Sequence, residues 1–129
     1  MGIHCIVVTP EKTALEETAD LVVVPLIDGE LGIQQNHSPL IGRLGYGELR
    51  ISVAGKTSNY YVDGGFVQVS DNQVSVITGR AVPVSEINLA KAQKMLADAE
   101  AQIGSNGDLL AIKEKALQRA RAQIRLATR

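Results

Sequence analysis

Two histidines, one cysteine and the tripeptide Gly55-Lys56-Thr57 are the first candidates for chemistry in this chain. Nucleophilic catalysis needs a nucleophile, a base and an orienting group, and a metal centre needs ligands clustered at compatible spacing. His4 and His37 each lack a second ligand at metal spacing, so the sequence predicts no metal site. Cys5 follows His4 inside the apolar run Ile3–Val8, which reads as a strand. Alternate strand residues face opposite ways, so His4 and Cys5 are no dyad, and His4 reads as structural. Gly55-Lys56-Thr57 resembles the end of a phosphate-binding loop, but that loop needs a glycine where Arg50 stands and a helix where a strand run follows. The chain is therefore expected to carry no catalytic residue and no bound cofactor. The unusual stretch is residues 28–47, where turn-forming residues alternate with Leu31, Ile33, Leu40, Ile41 and Leu44. A plain surface loop has no use for so many apolar side chains, so an ordered, packed lobe is expected. Glu30 and His37 are its polar tips, His37 at an exposed turn before Ser38-Pro39. Polar tips on a rigid base suit a docking edge.

The elements that must hold these tips follow from composition. The chain has 129 residues, 45% hydrophobic and 21% charged, which is one ordinary folded domain with room for a small appendage. Thirteen Lys and Arg against fourteen Asp and Glu leave a net charge of -1, which disfavours a nucleic-acid binder, and only four aromatics are present to stack on bases. A single cysteine rules out an internal disulfide framework. No apolar run reaches the roughly 20 residues of a membrane-spanning helix, and no export signal is visible, so a soluble intracellular chain without membrane insertion is expected.

Pattern changes near Pro83. Ten of the twelve glycines precede it, among β-branched runs; Ala, Leu, Lys, Arg, Glu and Gln dominate after it. β-branched residues suit a pleated surface, and straight-chain residues keep rotamer freedom in a helix. The fold class expected is α+β: a β-sandwich over residues 1–84 and an antiparallel two-helix hairpin over 85–129. The runs Ile3–Val8, Leu21–Val24, Leu49–Val53, Tyr60–Val62, Phe66–Val69 and Gln73–Ile77 read as strands, with Asp71-Asn72 as a tight hairpin turn. In the hairpin, Ser85 and Asp108 are the expected N-caps. Leu89, Ala92, Leu96, Ala99 and Ile103 share one face of the first helix, and Leu109, Ile112, Ala116, Ala120, Ile124 and Ala127 one face of the second. Lys115, Arg119, Arg121, Arg125 and Arg129 fall on the opposite arc. Both stripes are rich in alanine and bury little area, so a weakly held arm is expected. Residues 1–84 hold five Lys/Arg and nine Asp/Glu; residues 85–129 hold eight and five. A basic arm on an acidic head suits an acidic protein partner.

Several motifs in order resemble the epsilon-subunit family of F-type ATP synthases. Val24-Pro25-Leu26, Asp28-Gly29-Glu30-Leu31-Gly32-Ile33 and Asn36-His37-Ser38-Pro39-Leu40 are similar to its signature. Gly47-Glu48-Leu49-Arg50 and Val62-Asp63-Gly64-Gly65-Phe66-Val67 look like its later strands. The resemblance covers essentially the whole chain and is to the bacterial and chloroplast type. It implies a ten-stranded sandwich with a helical hairpin, and a non-catalytic rotor subunit that binds the gamma subunit and rests on the c-ring at the cytoplasmic face of the bacterial plasma membrane. It implies that Glu30 and His37 meet the polar loops of the c-ring. It further implies that the hairpin, when extended, reaches the beta and alpha subunits and blocks ATP hydrolysis. Arg119, Arg121, Arg125 and Lys115 are the candidates for an acidic beta-subunit loop. In the family's ATP-binding motif Asn88 replaces an acid and Lys91 an arginine, while Ala92, Arg121 and Arg125 match, so ATP binding is expected to be weak or absent. The alternative is an unrelated β-sandwich interaction module with a basic helical arm.

Overall fold

The computed structural model describes residues 2–128. They divide between Pro83 and Val84 into two compact units. The first contains eight strands: β1 (Ile3–Val8), β2 (Thr13–Ala19), β3 (Leu21–Leu26), β4 (Gly29–Ile33), β5 (Leu40–Val53), β6 (Lys56–Ser70), β7 (Gln73–Ile77) and β8 (Ala81–Pro83). They form one sheet in the order β2-β1-β7-β6-β5-β3-β4, with β8 paired to β6. Every pairing is antiparallel except β1 with β7. The sheet curls until β2 comes back against β5, which makes it a sandwich around one core.

Alternation builds that core. Ile3, Cys5 and Val7 are buried from β1, Val22 and Val24 from β3, Val67 and Val69 from β6, and Val74 and Val76 from β7. Each fully buried side chain of this size contributes about 1.5–3 kcal/mol, so aliphatic packing supplies the stability that four aromatics do not. The count of ten strands is corrected to eight, because β5 and β6 run for 14 and 15 residues where the sequence suggests separate pieces. Their ladder passes from Leu44–Gly65 to Tyr46–Asp63 across two opposed glycines, Gly45 and Gly64. On one side of that point β6 pairs with β8, and on the other with β7, so each long strand serves as two. Asp71 and Asn72 form the expected turn, both at positive φ (50° and 59°). Within residues 28–47, Ile33 and Leu44 reach the core and Leu31 and Leu40 pack against it, while Ile41 is 75% exposed.

Cys5 and His4 do face opposite ways. Cys5 is buried, and His4 pairs at 2.8 Å with Glu16 of the neighbouring strand on the exposed side. Burial, helped by the charge of Glu17, pushes the Cys5 thiol up to about 12 from 9.0. At pH 8 roughly one molecule in ten thousand then holds a thiolate. Maleimide is expected to leave the native protein unlabelled at that pH and to label it fully in denaturant. A raised folded pKa also gives stability that is complete below the unfolded value and lost as pH rises. Alkaline titration should therefore lower stability by up to about 1.4 kcal/mol per unit between pH 9 and about 12.

The second unit opens with a short 3-10 turn (Val84–Glu86), followed by α1 (Leu89–Ala101) and α2 (Gly107–Thr128), packed as an antiparallel pair. The caps differ from expectation. Ser85 lies in the 3-10 turn, and Asn88 caps α1, its side-chain oxygen accepting from the Lys91 amide at 3.0 Å. Asn106 caps α2 by accepting from the Leu109 amide at 2.9 Å, which leaves Asp108 in the first turn. Asparagine caps as well as serine or aspartate, so the nearer residue wins. In α1, Ala92 and Ala99 are buried, but Ile103 lies past the helix end and is exposed. In α2 the buried residues are Ala120, Ala122, Gln123 and Leu126, while Leu109 and Ile112 are exposed. The last turn of α1 is Ala-Asp-Ala-Glu-Ala and offers no large apolar partner to those two. Ala122 and Leu126, four apart, turn the buried face away from the predicted stripe.

Candidate docking edge and hairpin charges

Glu30 enters β4 opposite Pro25 of β3, and Arg50 of β5 lies opposite Val23. The register brings the two side chains together across the sheet. Arg50 grips Glu30 with both guanidinium arms: Nη1 donates to Oε2 at 2.8 Å and Nη2 to Oε1 at 3.2 Å. The same Nη1 donates to Glu48 Oε1 at 3.1 Å, and Asn59 Nδ2 donates to Glu48 Oε2 at 2.9 Å. Exposure falls steeply along this chain of contacts, with side chains 52% exposed at Glu30, 32% at Arg50 and 3% at Glu48. Hydrogen bonds donated to Glu30 and Glu48, which outweigh partial burial, raise the Arg50 pKa above its ordinary value. A lone surface ion pair is worth little, but a two-pronged one anchored on a buried carboxylate keeps its geometry. Sequence reading missed Arg50 as the partner of Glu30, and Glu48 and Asn59 as the groups that hold Arg50 in place. The available signal was the i, i+2 spacing of Glu48 and Arg50, which puts both on one strand face.

His37 sits on a different scaffold, past the far end of β4. It is half-buried. Its Nδ1 is 2.7 Å from the Ser38 carbonyl, which can only accept, so Nδ1 carries a proton and Nε2 is the remaining polar atom of the ring. The turn before it is held by two left-handed asparagines: Asn36 (φ 64°) donates its amide to Asn72 Oδ1 at 2.6 Å, and Asn72 Nδ2 donates to Asn36 Oδ1 at 3.4 Å. The structure thus places Glu30 and His37 at opposite ends of β4 with separate supports. Asn72→Ala should lower stability by about 1–2 kcal/mol, because it loses the clasp and forces alanine into the left-handed region. Asn72→Gly keeps the turn and loses only the clasp, so urea unfolding should place it between the wild type and Asn72→Ala.

On the hairpin, Lys115, Arg121 and Arg125 are exposed. Arg121 and Arg125 are one turn apart and present a double positive charge on one side of α2. Arg119 is half-buried and makes a polar or electrostatic contact of its own, because the buried face of α2 turns toward it. The four cations therefore do not form one patch. Of the ATP-motif positions, Asn88 is committed to its cap, Lys91 is exposed and Ala92 is buried. Among the described residues no group of three His, Cys, Asp or Glu side chains could hold a metal ion.

A strand-built head with clamped polar tips on its sheet, joined to a basic helical hairpin, has the architecture of the delta/epsilon class of ATP synthase chains. The family model for the "ATP synthase, Delta/Epsilon chain, beta-sandwich domain" matches residues 2–84. The ATP synthase epsilon chain of Rhodopirellula baltica is 49% identical over 125 residues, covering 97% of this chain and 98% of that one. That of Nitratidesulfovibrio vulgaris is 39% identical, covering 97% and 95%. The chain belongs to the ATP synthase epsilon-chain family. A chain in the mitochondrial ATP synthase of Euglena gracilis superposes with a TM-score of 0.85 at 26% identity, covering 98% of this chain and 81% of that one. One from the Tetrahymena thermophila central stalk and c-ring, at 18% identity, shares the fold with a TM-score of 0.73 over 96% and 95%. The alternative of an unrelated sandwich module is not favoured, since the likeness runs through both units.

Proposed function

We propose that this chain is a non-catalytic subunit of the rotor, joining the gamma subunit to the c-ring through its sandwich and restraining ATP hydrolysis through its hairpin. The observation that carries the reading is that the likeness to bacterial epsilon chains, 49% identity to one of them, extends over nearly the whole length of both head and hairpin. A related chain was described in a complex with a c-ring, which supports a place at that ring. In this reading Glu30 and His37 face the polar loops of the ring, two fixed contact points on one head. The exposed pair Arg121 and Arg125 meets an acidic loop of the beta subunit, with Lys115 and Arg119 flanking it, when the hairpin reaches the beta and alpha subunits. No described helix is long and apolar enough to cross a membrane. The proposed location is peripheral, at the cytoplasmic face of the bacterial plasma membrane, by attachment to the ring.

Adding the purified chain to an ATP synthase depleted of its own epsilon subunit should restore ATP-driven ion pumping at one chain per enzyme. Failure to bind the depleted enzyme contradicts the reading. ATP itself should bind weakly or not at all, since lysine at position 91 cannot offer a planar two-pronged grip and the Asn88 oxygen is already used. Calorimetry is expected to show no sub-millimolar affinity; finding one overturns this part.

A further inference from the structure

We infer that Arg50 is the positioning residue of the docking edge: it presents the Glu30 carboxylate to the c-ring in one fixed orientation. This rests on the reading of Glu30 as a ring contact. An unrestrained glutamate at a sheet margin samples many rotamers and must freeze one on docking. Here the freezing is done in advance. Both Glu30 oxygens are held by one guanidinium at 2.8 and 3.2 Å, and that guanidinium cannot swing away, because its Nη1 is also tied to Glu48 at 3.1 Å. Glu48 is itself fixed by burial and by Asn59. A carboxylate has about four acceptor sites and the clamp uses two, so Glu30 can still accept hydrogen bonds from a partner. The three charges sum to -1, and burial leaves Glu30 as the most exposed of them. The edge therefore offers a single, oriented negative charge, matched to donors or cations on the ring's polar loops.

The test measures docking of the full-length chain, assembled with its gamma subunit, onto nanodiscs holding the c-ring. Gamma affinity and melting are recorded for the same proteins. Arg50→Lys keeps a positive charge beside the buried Glu48 but cannot hold two oxygens of Glu30 at once. It should weaken ring docking about five- to tenfold, the size of the ordering cost that a loosened glutamate side chain must meet on docking, with gamma affinity unchanged. Glu30→Gln should weaken docking similarly, and the double variant should be no weaker than either single one, since both remove the same oriented charge. If Glu30→Gln weakens docking and Arg50→Lys does not, the positioning role is overturned and the ring-contact reading survives. If Glu30→Gln docks like the wild type, the ring-contact reading falls and takes the inference with it. If Arg50→Lys lowers ring docking and gamma affinity in equal measure, Arg50 serves the fold alone and the inference is overturned.

Discussion

Removing residues 85–129 is expected to raise ATP hydrolysis by the assembled enzyme about five- to tenfold, the gain from releasing a brake engaged some 80–90% of the time. The argument starts from the division of the chain. The sandwich closes its own core with residues from β1 to β7, none of them from the helices. The hairpin carries its own caps at Asn88 and Asn106, and its buried side chains are mostly alanine. Alanine buries little surface, so the helices hold each other with little energy and a change of position costs little. Charge supplies the bias. Arg121 and Arg125 are exposed one turn apart on a segment with a net positive charge. Two charge-assisted contacts of about 1.5 kcal/mol or more each are ample to move a two-state arm from mostly free to mostly engaged. Replacing both with glutamine should therefore release part of the inhibition that truncation releases in full. An unchanged hydrolysis rate after truncation contradicts a braking role for the hairpin.

The largest stability effect is expected at Gly65. A Cβ there falls 1.9 Å from the Ile77 carbonyl oxygen, 2.9 Å from its carbon and 3.0 Å from the Thr78 Cα, all backbone atoms. Those atoms have no freedom to retreat. Ile77 is paired with Phe66 in the ladder, the Thr78 amide donates to the Val8 carbonyl at 3.0 Å, and the Asp63 amide donates to the Thr78 hydroxyl at 3.1 Å. The φ of +108° adds strain for any L side chain. Gly65→Ala should cost more than about 4 kcal/mol, most of the stability of a domain this size. Gly55→Ala is the control, since its φ is +82° but nothing lies within 4 Å of the added carbon. It should cost about 1–2 kcal/mol from the backbone alone. Urea unfolding of the two variants decides the matter, and equal losses contradict the steric account.

That glycine also shows what a sequence reveals and what it hides. The Val62–Val67 motif was legible as a marker of family likeness, but its reason is the close passage of β6 by the end of β7, a tertiary fact without local trace. Strand alternation and the change of pattern at Pro83 are local, so six strand runs and the two helices could be read directly. β2, with its polar Glu16-Glu17 centre, and the short β4 and β8 were not read as strands. The joining of strands into β5 and β6 was not legible, because Gly45 and Gly64 look like breaks until they are seen opposite each other. The same limit applied to the docking edge. Glu30 stood out as a polar tip, whereas its grip by Arg50, twenty residues away, depends on how β3 pairs with both β4 and β5. Arg119 was grouped with Arg121 and Arg125 because the stripe through Ala120 ignores Ala122 and Leu126, whose burial draws that side of α2 inward.

The central claim is that the strand-built head alone fastens this chain to the rotor and that the helices are free to regulate. Titrating purified gamma subunit with the full chain and with a version ending at residue 84 tests it most directly. Equal one-to-one binding by both is the predicted result; no binding by either, or binding that vanishes with the helices, contradicts it.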